Sequence, residues 1–312
     1  MYIGIDVGGT NLKAGLVDES GKILAVERCP LVFQGAEALA ETLADLAESV
    51  LKSGGVSLSD VEYVGVGIPG AVSGGVILYT CNIPMRNVPL EALFRRRLDL
   101  PLVLENDANC AAVGEWLCGA GRGTKHFAVI TLGTGIGCGL ILNGALYTGG
   151  GVVGEAGHMV VERGGIPCVC GRQGCWESYA SATGLIRMTR EAMANHPESL
   201  LHGVAEQSGG VEGRTAFLAA EQGDPAALEV CRTYVEYLAL GVINLVNLLQ
   251  PEVLAVGGGV ADAPEHLLLE PLRERVEALC YPRHVGKLPR ILRAELGNDA
   301  GIVGAALLRR AI

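Results

Sequence analysis

A chain of 312 residues exceeds the length at which one hydrophobic core usually stops growing, so two lobes are expected. A formal charge of −10 and an aromatic content of 4% argue against a polyanion-binding or base-stacking surface, and no long Lys/Arg run offsets the acidity. The apolar 49% falls in runs too short or too charged for a membrane span, and the 45 Gly are dispersed among them, which excludes a low-complexity chain.

Tyr2-Ile3-Gly4-Ile5 opens a buried strand over residues 2–7, with no basic leader or cleavage site ahead of it. Residues 12–17 and 22–28 read as its antiparallel followers, joined through Asp18-Glu19-Ser20-Gly21. Leu39, Leu43, Leu46 and Val50 recur at helical spacing and predict an amphipathic helix over 36–52 that stops at Gly54-Gly55. Strands follow at 61–68 and 102–104, ending in Gly67-Ile68-Pro69-Gly70 and Glu105-Asn106-Asp107, the kind of strand end where open α/β sheets gather binding groups. Arg95-Arg96-Arg97 reads as a solvated helix face.

A second round begins at His126. Strands at 127–132 and 138–142 flank Gly133-Thr134-Gly135-Ile136-Gly137, repeating the strand, Gly turn, strand scheme of the N-terminus and suggesting an internal repeat. Helical sequence runs from about 182 to 249, its last part (228–249) apolar on most faces. Residues 253–256 form a buried strand leading into Gly257-Gly258-Gly259, and a small-residue helix is expected over 300–311, packing back on the first lobe. A lobe boundary is expected near 110–120.

Asp6-x-Gly8-Gly9-Thr10-x-x-Lys13 sits between the first two strands. Consecutive Gly let backbone N–H groups turn inward as an anion nest; Thr10 adds a hydroxyl and Lys13 a cation, while Asp6 suits a hydrated Mg2+, which takes only one or two carboxylates. A simple tight turn would also account for Gly-Gly-Thr. The turns around Gly133, Thr134 and Gly135 and at Gly257, Gly258 and Gly259 are further candidate nests. No Gly-x4-Gly-Lys-Ser/Thr motif is present, and Gly133–Gly137 lies between two strands, which excludes a dinucleotide fingerprint.

The densest chemical signal is His158-x9-Cys168-x-Cys170-x4-Cys175, running into Trp176-Glu177. Three thiolates and an imidazole make a closed tetrahedral set suited to structural zinc, and His158 could bind metal through one nitrogen while donating to a ligand through the other. Four buried, metal-free residues are the plainer alternative. The other seven of the ten Cys (Cys29, Cys81, Cys110, Cys118, Cys138, Cys231 and Cys280) are scattered in a large chain, as expected for a reducing cytoplasm.

Together Asp6–Lys13, Glu105-Asn106-Asp107-Ala108-Asn109, Leu132–Gly137, Gly154-Glu155-Ala156-Gly157-His158 and Cys168-x-Cys170-Gly171-x2-Gly174-Cys175-x-Glu177 resemble the ROK family of repressors and sugar kinases, over nearly the whole chain. Residues 114–125 look particularly like its bacterial glucokinase branch. The resemblance implies an α/β, two-lobed hexokinase/actin-like ATPase (ribonuclease H-like) fold with a zinc-binding insertion. Residues 1–115 would form the small lobe with the phosphate loop and catalytic Asp, completed by 299–312; residues 116–298 would form the large lobe with the zinc loop and an adenosine-binding Gly turn at 257–259. The implied activity is transfer of a phosphoryl group from ATP to the 6-hydroxyl of a hexose, most naturally glucose.

Asp107, at a strand end beside an amide, suits the proton acceptor, and the resemblance implies the same role; as the plainer alternative it could cap the helix after it. The resemblance carries sugar contacts onto Asn106, Asp107, Glu155, His158 and Glu177, with Gly70 and Asn82 as weaker candidates, and leaves Glu155 and Glu177 the alternative of supporting the zinc loop. One departure bears on specificity: many family glucokinases have a Trp in the loop around 80–88, where this chain reads Cys81-Asn82-Ile83-Pro84-Met85-Arg86-Asn87. Kinases of allose, mannose, fructose or N-acetylmannosamine therefore remain alternatives. A sugar-responsive repressor would carry a helix-turn-helix ahead of the phosphate strand, and none precedes Tyr2. The expected partners are sugar and nucleotide, without nucleic acid or membrane, in a homodimer or homotetramer.

Overall fold

A computed structural model describes residues 1–80 and 83–312; Cys81 and Asn82 lie outside the described residues. The strands are β1 (Tyr2–Val7), β2 (Asn11–Val17), β3 (Ile23–Pro30), β4 (Val64–Ile68), β5 (Ala71–Ser73), β6 (Val76–Tyr79), β7 (Arg86–Val88), β8 (Leu102–Asn106), β9 (Phe127–Leu132), β10 (Ile136–Leu142), β11 (Ala145–Leu146), β12 (Val253–Gly257) and β13 (Arg290–Arg293). The helices are α1 (Ala36–Gly54), α2 (Leu90–Arg97), α3 (Asp107–Cys118), α4 (Glu177–Ala180), α5 (Ala182–Asn195), α6 (Leu201–Gln207), α7 (Thr215–Glu221), α8 (Pro225–Leu249), α9 (Leu269–Leu279) and α10 (Ala300–Ala306).

One sheet runs β3-β2-β1-β4-β8 and another β11-β10-β9-β12-β13. In chain order both follow the same scheme: third, second, first, fourth, fifth strand. The expected internal repeat is thus present as repeated topology. β2 is antiparallel to β1 and β3, whereas β4 is parallel to both β1 and β8. A third sheet, β5-β6-β7, is small and antiparallel.

By internal packing the chain divides into two units, one of residues 1–129, 139–154 and 295–312, the other of residues 130–138 and 155–294. In the first unit, Ile3, Ile5, Val64, Val66 and Leu102 are buried against the apolar stripe of α1, where Leu39, Leu43 and Val50 recur as the periodicity requires. α10 covers β1 and β4 at close range: a Cβ on Gly4 or Gly65 would collide with the carbonyls of Ile302 and Ala305. The Tyr63 hydroxyl secures that contact by donating to Ala306 O at 2.5 Å.

The helix expected over 300–311 instead ends at Ala306, and residues 308–310 form a tighter 3-10 turn. Leu307 N is shared between Val303 O and Gly304 O at 3.1 Å each, the bifurcation that converts a last α-turn to i→i+3 bonding. In the second unit, Trp176 is fully buried and donates from Nε1 to Tyr237 O (2.9 Å), while the Tyr234 hydroxyl donates to Ala180 O (2.7 Å). These bonds tie α4 to α8. No helix among the described residues is long and apolar enough to cross a membrane.

Candidate active site

In the first unit, the parallel register sets Asp6 beside Gly67 and Gly67 beside Glu105, so Asp6 and Asp107 emerge from the same end of the sheet. The chain turns there because Asn106 caps α3: its Oδ1 accepts from Ala108 N (2.9 Å) and Asn109 N (3.2 Å). The cap is therefore Asn106, not Asp107 as the plainer alternative had it. Asp107 occupies the first helical turn, where the N-terminal dipole favours a carboxylate. Its Oδ1 accepts from Ala108 N (2.9 Å).

Asn106 also donates from Nδ2 to Gly70 O (3.1 Å), joining two of the residues expected near a sugar. Glu105 braces the strand end, accepting from Asn106 N (2.8 Å) and Asn109 Nδ2 (2.9 Å). The Asn106 amide is thus engaged by protein groups: its oxygen caps α3, and its nitrogen serves Gly70 O and the Asp107 carboxyl. Asn82 lies outside the described residues.

Burial and the nearby Asp107 charge push the Asp6 carboxyl up to about 6, against the opposing pull of Lys13. Burial likewise raises Asp107, against bonds from Ala108 N and Asn106. Two crowded carboxylates make a suitable donor set for a hydrated divalent cation. Raised in the folded state, the Asp6 carboxyl contributes stability that is full below its ordinary value and lost as pH rises through about 6. Asp6→Asn is expected to stabilise the cation-free protein at pH 7 by on the order of 3 kcal/mol, with the advantage gone by about pH 4. Urea melts across that range check it; equal midpoints at pH 7 would refute it.

The turn after Asp6 is closed by Gly8 N donating to Asn11 O (2.9 Å), and a Cβ on Gly9 would meet only open space. Thr10 Oγ1 accepts from Asn11 Nδ2 (3.0 Å), leaving its own proton to donate. Lys13 is held by Asp299 Oδ1 (2.5 Å) and Asn298 O (3.2 Å), partners that sequence inspection did not supply.

In the second unit, Gly133 N bonds Gly135 O (3.1 Å) to close the other Gly turn, and α5 docks on it through Ala182 N to Gly133 O (2.9 Å) and the Thr183 hydroxyl to Thr134 O (2.8 Å). Of Gly257, Gly258 and Gly259, only Gly258 takes a left-handed φ, +83°, packed on the backbone of Leu132.

His158, Cys168, Cys170 and Cys175 bring their ligand atoms within 4.8 Å of one another. Cys168 Sγ is 3.6 Å from His158 Nδ1, and Cys170 Sγ is 3.6 Å from Cys175 Sγ. Ligands of a tetrahedral zinc stand about 3.3–3.8 Å apart, so these two pairs already stand at that spacing, and the donors have the chemistry of such a site. His158 Nδ1 faces the sulfurs, and Nε2 lies 3.9 Å from Glu155 Oε2. Glu177 Oε1 accepts from Cys168 Sγ (3.1 Å) and lies 3.4 Å from His158 Nδ1. Its other oxygen flanks the Gly turn: a Cβ on Gly135 would lie 2.5 Å from Glu177 Oε2. One carboxylate thus borders both the sulfur cluster and a candidate phosphate turn. A separate cavity of about 500 Å³ between α8 and α9 contains none of these residues.

The repeated five-stranded topology, with Gly turns, a strand-end carboxylate and a Cys/His cluster, is the α/β fold of the sugar kinases. Residues 2–312 match the model of the ROK family, and the chain belongs to that family. It is 40% identical to a glucokinase of Thermotoga maritima (97% of this chain, 95% of the relative) and 39% identical to one of Halalkalibacterium halodurans (98% and 94%). The ROK family glucokinase from Streptomyces griseus, solved in complex with glucose and AMPPNP, superposes with a TM-score of 0.85 at 38% identity, covering 98% of each chain.

Proposed function

We propose that this protein transfers the terminal phosphoryl group of ATP to the 6-hydroxyl of glucose. The observation that carries the proposal is Asp107 brought close to Asp6 at one end of the three parallel strands β1, β4 and β8, in a chain that matches glucokinases over nearly its full length.

Asp107 accepts a hydrogen bond from the attacking hydroxyl and takes its proton as the P–O bond forms. Asn106 shapes the pocket wall by fixing Gly70 and bonding the Asp107 carboxyl, and a sugar oxygen would share that second N–H. Glu155, Glu177 and the Nε2 of His158 supply further sugar partners, which a wrong epimer would leave unpaired. The open backbone at Gly9, in the turn that Gly8 closes, receives phosphate together with the Thr10 hydroxyl and Lys13, as do the N–H groups of Thr134 and Gly135 in the turn that Gly133 closes; Gly257, Gly258 and Gly259 border the adenosine. Asp6 would hold Mg2+, which neutralises phosphate charge when bound. His158, Cys168, Cys170 and Cys175 would hold a structural zinc whose role is to fix the angle of His158.

A coupled assay tests the substrate. Glucose is expected to exceed mannose, fructose, allose, N-acetylglucosamine and N-acetylmannosamine in kcat/KM by about tenfold or more, since a site built to pair sugar hydroxyls rejects misfits strongly. Faster turnover of an N-acylhexosamine would replace glucose as the substrate.

A further inference from the structure

We propose that Asp299 and Glu115 are positioning residues for Lys13, orienting its ammonium so that one N–H donor is left for a phosphoryl oxygen; this rests on the nucleotide site proposed above. An ammonium has three donors. Among the described residues, Asp299 Oδ1 (2.5 Å) and Asn298 O (3.2 Å) take two of them. The Lys13 side chain is only 13% exposed, and two fixed acceptors restrict where the third N–H points. Asp299 is 49% exposed, so its repulsion of a bound phosphate is screened by solvent and does not cancel the gain from orientation.

Asp299 lies in a one-turn segment, residues 297–299, that needs an anchor of its own. Glu115 supplies it. This carboxylate is completely buried, near the end of α3, and its partners are peptide N–H groups: Leu296 N (2.7 Å), Glu295 N (3.0 Å) and Ala120 N (3.0 Å). Such a charge is costly to bury, and three charge-assisted bonds are what make it tolerable. Asp299 N then donates to Leu296 O (3.0 Å), so the segment gripped by Glu115 carries Asp299 directly. The exposed Arg122–Glu295 pair (3.1 Å) adds little to that grip.

Glu115→Gln retains one acceptor oxygen and turns an amide N–H₂ toward peptide donors. It is expected to raise the KM for ATP on the order of tenfold while leaving the sugar KM within about twofold, and Asp299→Ala is expected to do the same. Combined with Lys13→Met, either substitution should add little to the nucleotide defect of Lys13→Met alone, because residues acting through one group are not additive. A merely structural role would move both KM values together and multiply in the double variant; either result overturns the proposal, as does Asp299→Ala binding nucleotide as tightly as the parent. If Glu115→Gln does not fold, the Asp299→Ala pair decides. Calorimetric binding of Mg·AMPPNP needs no turnover. A parent inert on every hexose that still shows these affinity losses would remove the sugar-kinase reading and keep the positioning role, whereas a fully active enzyme without the losses would do the reverse.

Discussion

Asp107→Asn is expected to lower kcat by about 10³-fold while the dissociation constant for sugar changes by less than about threefold. Asn preserves the shape and can still accept from Ala108 N, the bond that Asp107 Oδ1 makes at 2.9 Å. It can also still pair with a sugar hydroxyl. What it cannot do is take the proton. The helix terminus should survive the change, because the cap is Asn106 and not the substituted residue. Stability should not fall either: burial holds the Asp107 carboxyl above its ordinary range, so a neutral amide removes a buried charge and its repulsion of Asp6. The same cause places the acid limb of the pH–rate profile above the ordinary carboxylate range. Single-turnover rates and sugar titration separate chemistry from binding. Retention of more than a few per cent of kcat would remove Asp107 as the proton acceptor.

The parts of the site written in local sequence were legible; those made by distant packing were not. The first strand is an apolar run broken by a Gly turn, and β1 with its turn falls where that pattern puts it. The Cys/His cluster lies within eighteen positions, so spacing alone brings its members together. Lys13, by contrast, meets Asp299 across 286 positions, and only the packing of α10 on β1 and β4 creates that pair. Glu115 reads as one more polar residue in a helix; its burial depends on loops at both 119–121 and 295–296 closing around it. At Asn106-Asp107, two good capping residues stand side by side, and their roles depend on where β8 stops. The small β5-β6-β7 sheet escaped because its strands have three or four residues and expose much of their length. β13 escaped for a similar reason: it is Arg-Ile-Leu-Arg, with only Ile291 fully buried.

Replacing one sulfur of the cluster is expected to release about one zinc per chain and raise the sugar KM by about 10–100-fold. Cys175→Ser is the most telling change, because Cys175 is 0% exposed and Val160 bridges to it across the loop. None of residues 158–173 is buried. Cys168 N to Arg172 O (2.8 Å), Gly174 N to Ile166 O (2.8 Å) and Val161 N to Gly174 O (2.9 Å) are turn contacts that leave little apolar burial to stabilise the loop alone. Metal binding would supply the missing free energy, and its loss should free His158 Nδ1 from the sulfurs and with it the direction of Nε2. Glu177 should be affected next, since its Oε1 touches both Cys168 and His158 while its Oε2 borders Gly135. The defect should therefore appear in sugar affinity before it appears in nucleotide affinity. Elemental analysis of the parent and of Cys175→Ser, alongside sugar titrations before and after chelation and after zinc is restored, measures each step. A parent free of zinc yet fully active would show that the four side chains act as an ordinary packed cluster.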